Sequence, residues 1–428
     1  MSATASLKKN TFWTACGQIS SIGLQAVYFI LISRLLGSYE YGLFVGIYSF
    51  VSILSPYSTL GFGMIMLRDA SRDPTRLSTT WGMSLSVLGV GSLAVIAIAS
   101  AASRLVFHRN LILMVICIAF SDAFCTRAIE LAGQAFQSCN LMAWTAKMNA
   151  LMGLTRTSAA IALLLYSWRT HTHATVQEWT FTYTACSALG VAAALLIVHI
   201  RLVKPTWGRI TRRHLSDGVG FSLSSSSYSI YNDIDKTMLA SYGFIQAAGT
   251  YAAAYRIIEI ATAPIRAVYS AAMPRIFQYG QEGSGKVLWF ARYLLKWTGL
   301  YAIIACIGLI WAAPWFPLLV GKSFAGSVSA IRLLALIPLF RCFHYSAGNA
   351  ISGCASQWYR TSAQVFAALL NLGLNLVLIP RFSWQGAAVA SLITDGSLGA
   401  INWVTLLYLN GHRHKGPSPL TQVVPASV

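Results

Sequence analysis

The sequence predicts an all-α polytopic membrane protein of about 12 transmembrane helices in two six-helix lobes. Three observations predict it. Of 428 residues, 56% are hydrophobic and 10% charged, whereas an average soluble domain carries about 25% charged residues. That shortfall excludes a water-soluble enzyme of this size, and the same apolar and aromatic richness excludes a disordered chain. Apolar runs of roughly twenty residues, the length a bilayer core demands, recur along the whole chain between short polar breaks. The charge is also lopsided, with 31 Lys+Arg against 12 Asp+Glu and a formal +19. A membrane protein can carry such an excess in cytoplasmic loops, on anionic lipid, or around an anionic substrate.

The first apolar run, 11–33, follows Lys8 and Lys9. It is longer than a signal-peptide core and lacks a small-residue cleavage site, so it reads as a retained first span. Further runs lie at 41–67, 80–103, 111–137, 145–167, 179–200, 218–241, 248–272, 288–313, 329–353, 362–380 and 387–409. Those at 111–137, 218–241 and 248–272 are interrupted by charges. An even number of spans puts both termini on one side. With the N-terminus in the cytoplasm, sixteen cations fall in cytoplasmic breaks, at 8–9, 68–76, 147, 201–213, 275–286, 360 and 413–415. Six (Arg34, Arg104, Arg109, Arg169, Lys322 and Arg381) fall on the opposite face. Such a bias sets orientation.

The most basic break sits mid-chain and divides it. The expected organisation is an N-terminal six-helix lobe at 1–200, a basic cytoplasmic linker at 201–216, a C-terminal six-helix lobe at 217–410 and a cytoplasmic tail at 411–428. A short internal similarity agrees: Tyr41-Gly-Leu-Phe-Val-Gly-Ile-Tyr48 after the first span and Tyr251-Ala-Ala-Ala-Tyr-Arg256 after the seventh. Repeated halves around a midplane site are a common transporter plan. Pro56, Gly61 and Gly63 break the second span, while Pro264 and Pro338 fall in the eighth and tenth, where proline kinks a helix. The polar runs Ser222 to Ser229 and Asn371 to Asn375 favour close helix contact or a wet cavity wall.

Nine cations remain inside spans: Arg127, Arg156, Lys236, Arg256, Arg266, Arg292, Lys296, Arg332 and Arg341. Six acids join them: Asp122, Glu130, Asp233, Asp235, Glu259 and Asp395. Each ionised group at mid-membrane costs about 2.5–3.5 kcal/mol even on the lenient insertion scale. They therefore pair or line a hydrated cavity. Arg127 and Glu130, Asp233 and Lys236, and Arg256 and Glu259 stand at i, i+3 on one helix face. Arg266 extends the last pair into one polar stripe. Such pairs are either clamps between helices or walls of a substrate path, and spacing leaves both open. Arg292, Lys296 and Arg332 lie near helix ends, within snorkelling reach of the interface.

An excess of three cations suits an anionic headgroup, because the Arg fork donates two parallel charge-assisted bonds to phosphate. The candidate substrate-binding residues are Arg127, Arg156, Lys236, Arg256, Arg266 and Arg341. The carboxylates Asp122, Glu130, Asp235, Glu259 and Asp395 are candidates for proton or cation coupling.

No catalytic constellation emerges. The eight cysteines form no CxxC or Cys/His spacing and read as free thiols between helices. Only His344 of the eight histidines lies within a span, and His171-Thr-His173 reads as a polar outer loop. Gly283-Ser-Gly285-Lys286 reads as a flexible turn, and no Walker motif is present. No metal, cofactor or nucleic-acid partner is expected.

Several segments resemble the polysaccharide flippase family, the Wzx-type exporters of O-antigen and exopolysaccharide repeat units. That family sits within the multidrug/oligosaccharidyl-lipid/polysaccharide exporter superfamily. The segments are Ser33-Arg-Leu-Leu-Gly-Ser-Tyr-Glu-Tyr-Gly-Leu-Phe44, Asp235-Lys-Thr-Met-Leu239, Gly249-Thr-Tyr-Ala-Ala-Ala-Tyr-Arg256, Met273-Pro-Arg-Ile-Phe277, and Asn375-Leu-Val-Leu-Ile-Pro380 with Gly386-Ala-Ala388. They run in the family's order across most of the chain.

The resemblance implies a two-lobed transporter of the bacterial inner membrane. It would move an undecaprenyl-diphosphate-linked oligosaccharide to the periplasmic leaflet by alternating access, drawing on an ion gradient. A polymerase and glycosyltransferases of the same pathway would be partners, besides membrane lipid. Only Asp235, Lys236 and Arg256 carry over by motif. The competing expectations are an exporter of lipid-linked peptidoglycan precursor or of small cationic drugs, and a membrane polymerase or glycosyltransferase. The precursor flippase generally has two further helices, a drug-cation site should be net acidic, and no exposed catalytic acid is evident here.

Overall fold

The computed structural model describes residues 3–108, 110–355 and 357–412. Arg109, Arg413, His414, Lys415 and the tail from 413 onward lie outside the described residues, as do the side chains of Lys8, Lys9, Cys16, Arg213 and His412. Among the described residues there is no strand. A bilayer offers the backbone no water, so each spanning segment satisfies its own N–H and C=O groups by forming a helix.

The helices are α1 (Ala3–Leu54), α2 (Pro56–Thr59), α3 (Phe62–Arg72), α4 (Leu77–Phe107), α5 (Ile112–Ala119), α6 (Arg127–Ser138), α7 (Met142–Thr170) and α8 (Val176–Arg201). They continue as α9 (Arg212–Ser241), α10 (Ile245–Glu282), α11 (Ser284–Ala312), α12 (Phe316–Val320), α13 (Ser327–Leu334), α14 (Ile337–Cys354), α15 (Gln357–Phe382) and α16 (Trp384–His412). Nine helical stretches of the described residues are long and apolar enough to cross a membrane. The first, Ser20–Arg72, holds two rods, because Gly37 at φ 69° breaks α1. With the serine-rich α9 and the charged α10, both of spanning length, the described rods follow the twelve runs read from sequence.

The burial pattern is that of a membrane protein. Large apolar side chains such as Val90, Leu105, Leu189 and Ile307 are exposed, while Ser33, Ser84, Thr262, Asn375 and Thr394 are fully buried. Pro338 begins α14, where its missing N–H costs nothing, whereas Pro264 and Pro274 lie inside α10. The Gly283-Ser-Gly-Lys286 segment is mostly not a turn. Only Gly283, at φ 131°, lies between helices, and Ser284 already starts α11.

The chain forms two compact units. Unit 1 comprises Met1–Ala253, Trp315–Val328 and Asn375–Ala387. Its core gathers Met66, Trp81, Leu88, Leu131, Phe136, Met148 and Val198 from α3, α4, α6, α7 and α8. Arg34 donates to the carbonyls of Leu319 at 2.7 Å and Leu318 at 2.8 Å, filling acceptors that the end of α12 leaves open.

At one crossing in this unit α1 meets the start of α10. A Cβ on Gly42 would strike the Ile245 carbonyl, and a Cβ on Gly249 the Ser38 carbonyl. Unit 2 comprises Ala254–Pro314, Ser329–Leu374 and Ala388–Val428. It packs Ile265, Tyr269, Phe290, Leu294, Ile351 and Leu406 into a second core.

Candidate functional site

The second rod does not run through. After α1 ends at Leu54, the four-residue α2 follows, and then Leu60 (φ 41°) and Gly61 (φ 64°) turn left-handed before α3 begins. Irregular backbone at membrane depth persists only where protein or a hydrated cavity satisfies it, and such interrupted helices are pointers to transporter sites. Here the serine run of α9 takes up the freed carbonyls: Ser226 donates to Ile53 at 2.8 Å and Ser222 to Pro56 at 3.0 Å.

Facing the break, the fourth rod changes pitch. Phe120–Thr126 forms a π turn between α5 and α6, a feature frequent at functional sites. Asp122 within it is buried and accepts from the Ser55 hydroxyl at 2.5 Å. One residue beyond the turn, Arg127 pairs with Glu130 at 2.8 Å. Between these elements and α9 lies a cavity of about 260 Å³. Its walls are Pro56, Thr59, Gly61, Gly63, Met64, Arg127, Glu130, Leu131, Gln134, Phe221, Ser222, Ser224 and Ser225.

Two further charge clusters lie in unit 1. Arg156 donates to the Tyr48 hydroxyl at 3.1 Å and sits over that ring at 5.6 Å; among the described residues it has no ion pair. Lys236 is buried between Asp233 at 3.0 Å and Asp235 at 3.6 Å. Asp235 in turn accepts from Tyr251 at 2.6 Å. Lys236 is thus held by two carboxylates inside the helix packing.

In unit 2 the stripe on α10 is half-exposed. Arg256 and Glu259 pair at 3.2 Å with side chains 41% and 34% exposed. Arg266 reaches the Thr262 hydroxyl and the Glu259 carbonyl, each at 3.4 Å, and no carboxylate among the described residues. Arg341 is placed quite differently. It is 3% exposed, 3.8 Å from Asp395, and donates to the Tyr255 hydroxyl at 2.7 Å. His344 stands 3.6 Å from the other Asp395 oxygen. Arg292, Lys296 and Arg332 are exposed on their helices.

Some participants escape a reading by charge alone. Gln134 lies one helical turn after Glu130 and two after Arg127, so the 3.6 period places it on the same face. His344 follows Arg341 at i+3, a spacing that would also have been visible. Tyr48 and Tyr255 are hydrogen-bond partners that only packing selects. Among the described residues no group of three His, Cys, Asp or Glu side chains could hold a metal.

Residues 7–280 match the family described as polysaccharide biosynthesis protein. The chain belongs to that family. Other likenesses of this family member are more distant. It is 26% identical over 198 residues to an uncharacterised membrane protein of Methanocaldococcus jannaschii, covering 45% of this chain and 46% of the relative. The match therefore spans about half of that curated relative's length.

Among solved structures, an inward-facing multidrug-resistance MATE transporter of the MOP superfamily superposes with TM-score 0.75 at 13% identity, over 93% of this chain and 96% of that one. A MOP-superfamily transporter from Pyrococcus furiosus, described by the reverse polarity of its binding pocket, superposes with TM-score 0.60 at 14% identity, over 96% of each chain. At such identities the likeness is one of fold: a multi-pass, two-lobed transporter architecture.

Proposed function

We propose that this polysaccharide biosynthesis protein is a flippase for undecaprenyl-diphosphate-linked oligosaccharide repeat units. It moves them from the cytoplasmic to the periplasmic leaflet of a bacterial inner membrane by alternating access of lobes 1–200 and 217–410. The observation that carries this reading is the stripe on α10. Arg256 and Arg266 lie on one half-exposed face with a single carboxylate, Glu259, between them. A site with two guanidinium forks and one acid favours a diphosphate over a cationic drug. The solved relative with a reversed pocket polarity is a precedent for such a departure within the fold.

Arg156, Lys236 and Arg341 are the further cations proposed along the substrate path, with Arg127 there as a cation closed on Glu130, and Asp122, Glu130, Asp235, Glu259 and Asp395 are the set through which an ion gradient acts. A polymerase and glycosyltransferases of the same pathway would consume and supply the cargo. In a deletion strain complemented with variants, Arg256→Ala and Arg266→Ala each lower polymer export about tenfold, as loss of a charge-assisted contact implies. Membrane levels stay unchanged and lipid-linked repeat units accumulate. Full export by both variants removes α10 from the substrate path.

A further inference from the structure

We propose that the cavity at the broken second rod is a sugar subsite, the place where the first sugars of the lipid-linked cargo are held while the diphosphate is bound elsewhere. This inference rests on the flippase reading. Its first support is charge. Arg127 and Glu130 face the cavity as a closed pair at 2.8 Å, so the walls are formally neutral and a diphosphate there would meet a carboxylate. A neutral hydroxyl-bearing ligand is not repelled by that carboxylate and can donate to it.

The second support is the supply of hydrogen-bonding groups. Ser222 and Ser226 are engaged with carbonyls of the break. The exposed Ser224 and Ser225 and the half-buried Gln134, all lining the cavity or its rim, have no hydrogen-bond partner among the described residues. Amide and hydroxyl groups both donate and accept, which matches sugar hydroxyls that do the same. Beside them the Phe221 ring, 39% exposed, offers an apolar wall for the C–H face of a pyranose. Convergent polar groups beside an aromatic ring suit a ligand that presents both hydroxyls and a C–H face.

The third support is position. Met64 stands four residues, about 6 Å of helix, from Arg68, the first cation assigned to the cytoplasmic face after the second span. Arg68 is itself tied to Asp217 at the start of α9 by 2.8 Å. The cavity therefore opens at the depth where a sugar assembled in the cytoplasm would arrive on its lipid.

The test uses the full-length protein in nanodiscs and three probes: bare undecaprenyl diphosphate, and the same lipid carrying a single glucose or a single N-acetylglucosamine. The wild type binds at least one glycosylated probe about five-fold or more tighter than the bare lipid. Gln134→Ala and the double variant Ser224→Ala/Ser225→Ala erase that increment and leave bare-lipid binding unchanged. The serine positions are exposed, so the double variant keeps the test independent of folding. Equal binding of all three probes by the wild type overturns the subsite, as does an increment that survives both variants. Arg256→Ala weakens all three probes alike. Were it without effect, the diphosphate assignment on α10 would fail while the subsite stood.

Discussion

Individual charges inside the membrane separate by exposure into two energetic classes. Arg341 and Asp395 have side chains 3% and 1% exposed. Removing one member of such a buried pair costs about 3–5 kcal/mol, whereas replacing both by apolar residues of similar volume is often neutral. Arg341→Met and Asp395→Leu should each lower the thermal midpoint of the purified protein by several degrees, and the double variant should recover most of the loss. Single variants as stable as the wild type would show that the pair is not a clamp.

Arg256 and Glu259, at 41% and 34% exposure, belong to the class worth about 0–1 kcal/mol, so Arg256→Ala should spare stability while reducing export. The i, i+3 pairs were legible in sequence, because helix geometry alone brings them together. The Arg341–Asp395 pair was not, because α14 and α16 meet through packing that no spacing encodes.

Helices in this molecule are organised by where they break and where they touch. Pro56 and the glycines after it announced the break of the second rod. The π turn of the fourth left no sequence mark, since one extra residue in a helical turn alters no composition. The Tyr41 and Tyr251 segments read as an echo between halves, and just before the second of them α10 touches α1 at one crossing. Gly42 and Gly249 admit each other's backbone there. A methyl group at either position would meet a carbonyl oxygen that its own helix holds in place, and overpacking of that kind costs about 1–3 kcal/mol or more. Gly42→Ala and Gly249→Ala should each reduce thermal stability by at least this amount. Gly299→Ala, on a helix face with nothing within 4 Å, should be neutral or slightly stabilising. Unchanged melting of Gly42→Ala would mean the crossing can open without cost.

For the molecule as a whole, everything turns on whether α9 and α10 cross the bilayer. Their length is sufficient: at about 1.5 Å per residue, the 30 residues of α9 and the 38 of α10 exceed a hydrocarbon core of about 30 Å. Their polarity argues the other way unless it is turned inward. Ser222 and Ser226 of α9 are in fact spent on carbonyls of the broken rod, and Asp235 and Lys236 are buried against each other.

If both helices span, Tyr242 between them lies on the same side as His173, opposite the linker at Arg209 and the end of α10 at Gln281. All four residues are exposed, so each can be replaced singly by cysteine after the native thiols are removed. A membrane-impermeant maleimide should then label positions 173 and 242 in intact spheroplasts, and 209 and 281 only after lysis. Labelling of 242 only after lysis would mean that α9 and α10 do not both cross. Two spans would then be lost, the division into six and six would fail with them, and the charged stripe on α10 would no longer lie along a path through the membrane.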